Sequence, residues 1–188
     1  GVEYNFDKQK LLESIEKARI AASLTPENLA VNCIRFEIEE NKLKLVSSDT
    51  YRLIYLEEEL DEEEKNKESL SVSIPLKTMD GLLKIMKLTS EDKIVLKSDG
   101  TKVYFQMGDV EILTRVIELQ FPDYKAILTG AQYDKKILLN TKDFISVLKI
   151  HNGQKGESAW LFDSLEFLST HRIIEEYNIW KNLLETQF

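Results

Sequence analysis

A chain of 188 residues with 43% apolar side chains is long enough for one domain and part of a second, and too apolar for general disorder. The net charge of −8, taken as a bare sum, argues against a nucleic-acid partner, and no stretch approaches the ~20 apolar residues that span a bilayer. The single Cys33 excludes an internal disulfide and, set in an apolar strand pattern, reads as a small buried residue.

Along the chain, a short apolar strand runs into an amphipathic helix three times: Val2–Phe6 into Lys8–Ala22, Leu70–Ile74 into Lys77–Leu88, and Lys136–Leu139 into Lys142–Lys149. Each helix carries two adjacent apolar residues and a third, three positions later: Leu11, Leu12 and Ile15; Leu82, Leu83 and Met86; Phe144, Ile145 and Leu148. Such repetition marks a duplicated unit with a third copy begun. Asp7 stands where an N-cap carboxylate accepts the free amides of a first helical turn. Thr25-Pro26-Glu27-Asn28 reads as loop. Val31–Ile38 follows as a strand in which Val31 and Cys33 blur the alternation, then a turn at 39–42, a strand from Leu43, and a third over Tyr51–Leu56. Glu57–Glu64 holds seven acids between two strand patterns and is expected to be a solvated connection.

The second half repeats the order. Pro75 suits a helix start. After the helix come Lys93–Lys97, a Ser98-Asp99-Gly100 turn, Lys102–Met107, a Gly108-Asp109 turn and Val110–Leu119, and these Asp-Gly and Gly-Asp pairs signal hairpins. Phe121-Pro122-Asp123-Tyr124 ends the unit, and Thr129–Asp134 reads as a connector. Each half is thus strand–helix–strand–strand–strand. The expected fold is α+β, with antiparallel sheets and the helices on one face.

Charge distribution says more than its sum. Outside the acidic run the balance is 25 basic against 26 acidic side chains. Lys8, Lys10, Lys17 and Arg19 lie on the first helix and Lys77, Lys84 and Lys87 on the second. Turned outward together, they would make a basic surface able to meet duplex phosphates without reading sequence. Equally, they can be lysines solvated on exposed helix faces.

Catalytic chemistry has no visible seat. His151 and His171 lack carboxylate or cysteine partners at ligand spacing, and no Gly-rich phosphate loop occurs. Asp49 and Asp123 sit at strand ends or turns and read as turn or cap residues. No catalytic residue, metal or cofactor is expected. The start, Gly1-Val2-Glu3, lacks the regions of a signal peptide, so a cytoplasmic location is expected.

Three motifs in order carry a resemblance. They are Ser47-Ser48-Asp49-Thr50-Tyr51-Arg52-Leu53, the helix entry Ile74-Pro75-Leu76-Lys77, and Arg115-Val116-Ile117 leading to Phe121-Pro122-Asp123-Tyr124. Together they resemble the bacterial sliding clamp, the DNA polymerase III beta subunit, over roughly Val2–Lys149. The resemblance implies a clamp middle domain over 1–128 and a connector with the opening strand and helix of the third domain over 129–149; the remaining 150–188 departs from it and reads by its spacing as a divergent, largely helical tail. It also implies a DNA-clamp fold: a homodimeric ring of six such domains that encircles duplex DNA through weak, sequence-blind contacts, without catalysis, and tethers the replicative polymerase. Lys8, Lys10, Lys17, Arg19, Lys77, Lys84 and Lys87 would face the DNA. A groove would take Gln-Leu-x-Leu-Phe-like peptides of DNA polymerase III and other partners. Carried over by motif, its wall is Val31, Ser48, Thr50, Tyr51, Arg52, Leu53, Pro122 and Ile127, with Arg52 bonding the peptide backbone. Val31, Leu53 and Ile127 can alternatively be core residues. The other open reading is a clamp-derived interaction module that binds peptides or another chain without encircling DNA.

The chain departs from the pattern where Gly-His becomes Thr50-Tyr51, where Ala126 replaces a long basic residue, and where the Asn-Gly pair after the first helix becomes Asn32-Cys33. Beyond Lys149, a loop over Ile150–Gly156 and a helical Glu157–Phe188 replace the expected third domain, as in a fragment, an altered gene product or a chain with foreign sequence at its end. Ser158-Ala159-Trp160-Leu161-Phe162 ends in a Leu-Phe pair that can mimic a clamp ligand or cover an apolar surface.

Overall fold

A computed structural model describes residues 1–130 and 138–153. Its elements are β1 (Val2–Asp7), α1 (Lys8–Arg19), β2 (Cys33–Glu39), β3 (Lys42–Ser48), β4 (Leu53–Glu59), a 3₁₀ turn (Glu62–Glu64), β5 (Leu70–Pro75), α2 (Leu76–Leu88), β6 (Lys93–Ser98), β7 (Lys102–Met107), β8 (Val110–Arg115), α3 (Tyr124–Gly130) and α4 (Thr141–Gly153). The chain divides into two compact units, Gly1–Gly130 and Ala131–Phe188.

The first unit is a pair of four-stranded antiparallel sheets, ordered β1-β6-β7-β8 and β4-β3-β2-β5. Each half of the repeat lends its first strand to the other half's sheet. Tyr4 on β1 registers with Leu96 on β6, and Ile34 on β2 with Ile74 on β5. The two halves therefore share every layer of their core and fold as one body.

Strand alternation aims Ile34, Phe36, Ile38, Leu43, Leu45, Leu96, Val103 and Phe105 at a common core. Phe36 and Phe105 meet edge-on across it, ring centroids 6.3 Å apart. Both helices pack into the same core through Leu11, Leu12 and Ile15 of α1 and Leu82, Leu83 and Met86 of α2. The expected triads are thus the buried stripes of two helices sharing a side. Asp7 caps α1, its carboxylate accepting from the Lys10 amide at 2.9 Å. The α-helix ends at Arg19 rather than Ala22. Ile20, Ala21 and Ala22 bond three residues back, a tightened last turn.

The acidic run is not a solvated connection. Glu57, Glu58 and Glu59 belong to β4, and Glu64 is buried, accepting from the Asn5 amide at 2.8 Å and from Lys67 at 2.6 Å. Val110–Leu119 also does not run as one strand. After Arg115 the chain leaves its sheet, and the Ile117 amide bonds the Ser73 carbonyl on β5 at 2.8 Å. Phe121 and Tyr124 then cover the outer face of β2 and β3, forming a second cluster with Val31, Cys33 and Val46. This second covering explains why Val31 and Cys33 blur the alternation: both faces of the sheet are buried there. Burial pushes the Cys33 thiol up to about 11 against the lowering effects of Ser73 and Arg35, which fits an inert core residue.

The connector expected at Thr129–Asp134 starts inside a helix: α3 opens at Tyr124, with Asp123 accepting from the Ala126 amide at 3.1 Å. In the second unit, Asn140 caps α4 through the Lys142 and Asp143 amides. That helix runs on to Gly153, through the stretch expected to be loop from Ile150. Phe144 and Ile145 are exposed, unlike their counterparts in α1 and α2. Leu138 and Leu139 carry no strand. The remainder of that strand, at 136–137, and the tail from 157 to 188 lie outside the described residues. Among the described residues no helix is long and apolar enough to cross a membrane.

Candidate functional site

Two surfaces correspond to the residues singled out from sequence. The first is the helix pair. Glu16 meets Lys87 at 2.5 Å and Arg19 meets Asp80, so as numbers rise on α1 they fall on α2, and the helices run antiparallel side by side. At the start of α1, the Lys8 ammonium donates to the Thr89 carbonyl at 3.0 Å, where a cation complements the end of α2. The two helices hold seven cations against three acids, a net charge of +4 within a chain of −8.

The cations differ in state. Lys17, Lys77 and Lys84 are exposed and make no ion pair among the described residues. Lys10 stands 3.9 Å from Asp61, both largely exposed, an arrangement of little strength. Lys8, Arg19 and Lys87 are engaged as described. The Arg19 guanidinium is raised above its ordinary value, chiefly by its hydrogen bond to Asp80. Arg19 and Asp80 lie 61 positions apart, so their pairing leaves no local signal in the sequence.

The second surface surrounds the β3–β4 turn. Ser48 is buried and holds the turn together: its hydroxyl donates to the Arg52 carbonyl at 2.8 Å and accepts from the Thr50 amide at 3.0 Å. Asp49 accepts from the Tyr51 and Arg52 amides and pairs with the Arg52 guanidinium at 2.9 Å. These bonds to its charged form hold the Asp49 carboxyl below its usual range, and confirm it as a turn residue. Thr50 sits at φ +78°, and Tyr51 is 95% exposed. Leu53 is half-buried against the second cluster.

Val31 is 1% exposed and belongs inside that cluster, so it is a core residue and not a groove wall. Ser48 likewise spends its hydroxyl within the turn. Ile127 is exposed on α3 and is not core. Pro122 lines a cleft of about 620 Å³ bounded by Arg35, Ser73, Ile117, Phe121 and Tyr124, which none of residues 48–53 enters. The structure thus gathers Thr50, Tyr51, Arg52 and Leu53 on one turn, and sets Pro122 in a different depression.

A polar clasp beneath the Phe-Pro-Asp-Tyr segment escaped sequence reasoning. The Tyr124 hydroxyl donates to buried Glu37 at 2.7 Å, and Arg35 reaches the same carboxylate at 3.1 Å. Burial raises Glu37, but the Tyr124 and Arg35 hydrogen bonds outweigh it and hold the carboxyl low. Lys125 and Lys44 each donate to Glu39 at 2.8 Å and hold it at about 2. The only hint in sequence is that Arg35, Glu37 and Glu39 fall on the face of β2 opposite Ile34, Phe36 and Ile38. No group of three or more His, Cys, Asp or Glu side chains among the described residues can hold a metal.

The family model for the DNA polymerase III beta subunit, central domain, matches residues 5–123. The beta sliding clamp of Staphylococcus epidermidis is 28% identical over 136 residues, 72% of this chain and 35% of that protein. That of Staphylococcus aureus strain Mu50 is 27% identical over 130 residues, 69% of this chain and 33% of that protein. The chain thus spans about a third of the length of the curated relatives it matches. Among solved structures, the DNA polymerase III beta subunit of Thermotoga maritima superposes with a TM-score of 0.62 at 32% identity, over 68% of this chain and 34% of that one. The DNA polymerase sliding clamp of Bacillus subtilis shares the fold, with a TM-score of 0.71 at 22% identity over 84% of this chain and 41% of that one. With the matched region filling most of the first compact unit, the chain belongs to the DNA polymerase III beta subunit family through its central domain.

Proposed function

We propose that this chain supplies the central-domain part of a sliding clamp, a non-catalytic element of replication whose helix pair faces duplex DNA. The observation that carries the reading is the charge of that pair: +4 on two adjacent, antiparallel helices of a chain at −8. Lys17, Lys77 and Lys84 are the principal phosphate contacts, with Lys10 beside them. Contacts of this kind are long, hydrated and blind to sequence, which suits movement along a duplex. In the full ring, made of two chains, several such domains share the task.

The β3–β4 turn is the central domain's part of a groove for Gln-Leu-x-Leu-Phe-like peptides of DNA polymerase III and other clamp-binding proteins. Tyr51 offers aromatic surface and Arg52 hydrogen-bond donors, supported by Leu53 and by Ile127 on α3. The nearly full exposure of Tyr51 also favours the second reading, an interaction module that binds peptides without encircling DNA.

A salt series on the full chain separates the two. Weak binding to a labelled duplex at low ionic strength, lost as salt rises and reduced in Lys17→Ala, Lys77→Ala and Lys84→Ala, is the result expected of a DNA-facing surface. Binding of the peptide alone, weakened by Arg52→Ala, with no duplex binding at any salt, would leave only the interaction module.

A further inference from the structure

We propose that Glu16 and Asp80 hold the duplex affinity of the helix pair down by withdrawing Lys87 and Arg19 from phosphate contact. This rests on the DNA-facing reading above and assigns the two acids a role within it. Three observations carry it. Both acids sit on the helices themselves, each paired with a cation of the opposite helix. The Arg19–Asp80 pair is bidentate, with both guanidinium and carboxylate oriented by two bonds, so releasing the arginine to a phosphate breaks a geometry already satisfied. Finally, Glu16, Arg19, Asp80, Lys84 and Lys87 line one groove with Leu83, which keeps the pairs beside a lysine that makes no ion pair among the described residues, and not on a distant rim.

The consequence is a division of labour among the seven cations, of which Lys8 is spent on the Thr89 carbonyl. Lys17, Lys77 and Lys84, with Lys10, are available to counterion exchange, whereas Arg19 and Lys87 already neutralise a carboxylate and release few ions on meeting DNA. Since affinity for duplex follows the number of phosphates neutralised, two retained acids make a looser surface than the cation count alone would give. The acids also tie α1 to α2, so a stability effect alone would not distinguish the proposal. The salt slope does, because a purely structural tie would not move it.

The test measures binding of the full chain to a fluorescent duplex across a salt series, for the wild type, Glu16→Gln, Asp80→Asn and Glu13→Gln. The amides keep the shape and much of the hydrogen bonding of the acids they replace. Glu13 is the control: it lies on α1, carries the same charge and bonds only Gln9 among the described residues, at 2.9 Å. In Glu16→Gln and in Asp80→Asn, the slope of log affinity against log salt should steepen by up to about 0.9 per freed cation, with several-fold tighter binding at low salt. Glu13→Gln should leave the slope unchanged. Unfolding midpoints check that each variant is folded, and either of the two paired sites suffices if the other variant fails to fold. If Glu13→Gln shifts the slope as much as the other two, or if all slopes equal that of a binding wild type, the proposal falls while the DNA reading stands. If the wild type binds no duplex at any salt, the DNA reading falls and takes the proposal with it.

Discussion

The two sheets arise by the same exchange of first strands, yet one is covered on both faces and the other on one. Along β7, buried Val103, Phe105 and Met107 alternate with partly exposed Lys102, Tyr104 and Gln106. Along β3, every residue from Leu43 to Ser48 is buried, including Lys44. The difference comes from the chain after β8. It leaves the β1-β6-β7-β8 sheet at Arg115, bonds the edge of β5 at Ser73, and lays Phe121 and Tyr124 over β2 and β3. A face that would otherwise be solvated thereby becomes a second, smaller core, with charges paired inside it. The proposed peptide surface rises from this doubly covered sheet. Of its residues, Leu53 packs against the second core, a support that the other sheet lacks.

The sharpest way to break this contrast is to remove the cover. Phe121→Ala should cost about 3–5 kcal/mol, read from urea unfolding, as expected for emptying a buried aromatic site. Tyr104→Ala, on the open face of the other sheet, should cost about 1 kcal/mol or less. Equal losses would mean that the second cluster adds no stability. Next in size is the clasp. Glu37→Ala leaves the buried Tyr124 hydroxyl without its acceptor and Arg35 without its carboxylate, at a cost of about 1–3 kcal/mol. Gln106→Ala removes only the acceptor of a Lys97 bond on the open face and should change stability by about 0.5 kcal/mol.

What was legible in sequence divides along the same line. Features set by near neighbours could be read: the Asp7 cap, the apolar triads of α1 and α2, the hairpin at Asp99-Gly100, and Asp123 as a turn or cap residue, although not the helix that follows it. Features set by distant partners could not. The β1–β6 and β2–β5 pairings join segments far apart in the chain and leave no mark on local periodicity. Tyr124 reaches Glu37 across 87 positions, and Arg19 reaches Asp80 across 61. Glu64 reads as one acid among seven until the fold brings Asn5 to it. Val31 shows the limit within the site. Its motif position placed it on a groove wall, but burial from both faces is a property of the sheet, and only the course of the chain after β8 decides it.

A smaller contrast lies in two turns that both open on Ser-Asp. Ser48-Asp49-Thr50-Tyr51-Arg52 and Ser98-Asp99-Gly100-Thr101-Lys102 make matching bonds: serine hydroxyl to the fifth carbonyl at 2.8 and 2.9 Å, and third amide to serine at 3.0 Å in both. Gly100 adopts φ +88° without a Cβ, whereas Thr50 adopts φ +78° with a branched one. Exchanging them sharpens the comparison. Gly100→Thr should destabilise by about 1–2 kcal/mol, and Thr50→Gly should stabilise by about 1 kcal/mol in thermal unfolding. If the strain serves to aim Tyr51, Thr50→Gly will also weaken peptide binding while raising the unfolding midpoint. Peptide binding that follows stability would separate strain from function.

The smallest effect depends on pH. Glu39 is held at about 2, against an ordinary 4.5, by bonds from Lys125 and Lys44. A carboxyl depressed in the folded state adds stability that is complete above about pH 4.5 and fades as pH falls toward 2, because the unfolded chain takes up its proton first. Glu37, also held low, adds to the same acid-side loss. At 38% exposure the Glu39 pairs are partly screened, so Glu39→Gln should cost only about 0.2–1 kcal/mol at pH 7. That gap should narrow steadily between pH 5 and pH 3 and shrink in high salt. Glu3→Gln, which removes a pair 3.9 Å apart on the open sheet, should have the smaller effect at pH 7. A gap for Glu39→Gln that stays constant or widens on acidification would show that Lys125 and Lys44 do not hold this carboxylate, and that the α3 end of the cover is fastened at Glu37, by Tyr124 at 2.7 Å and Lys125 at 3.6 Å.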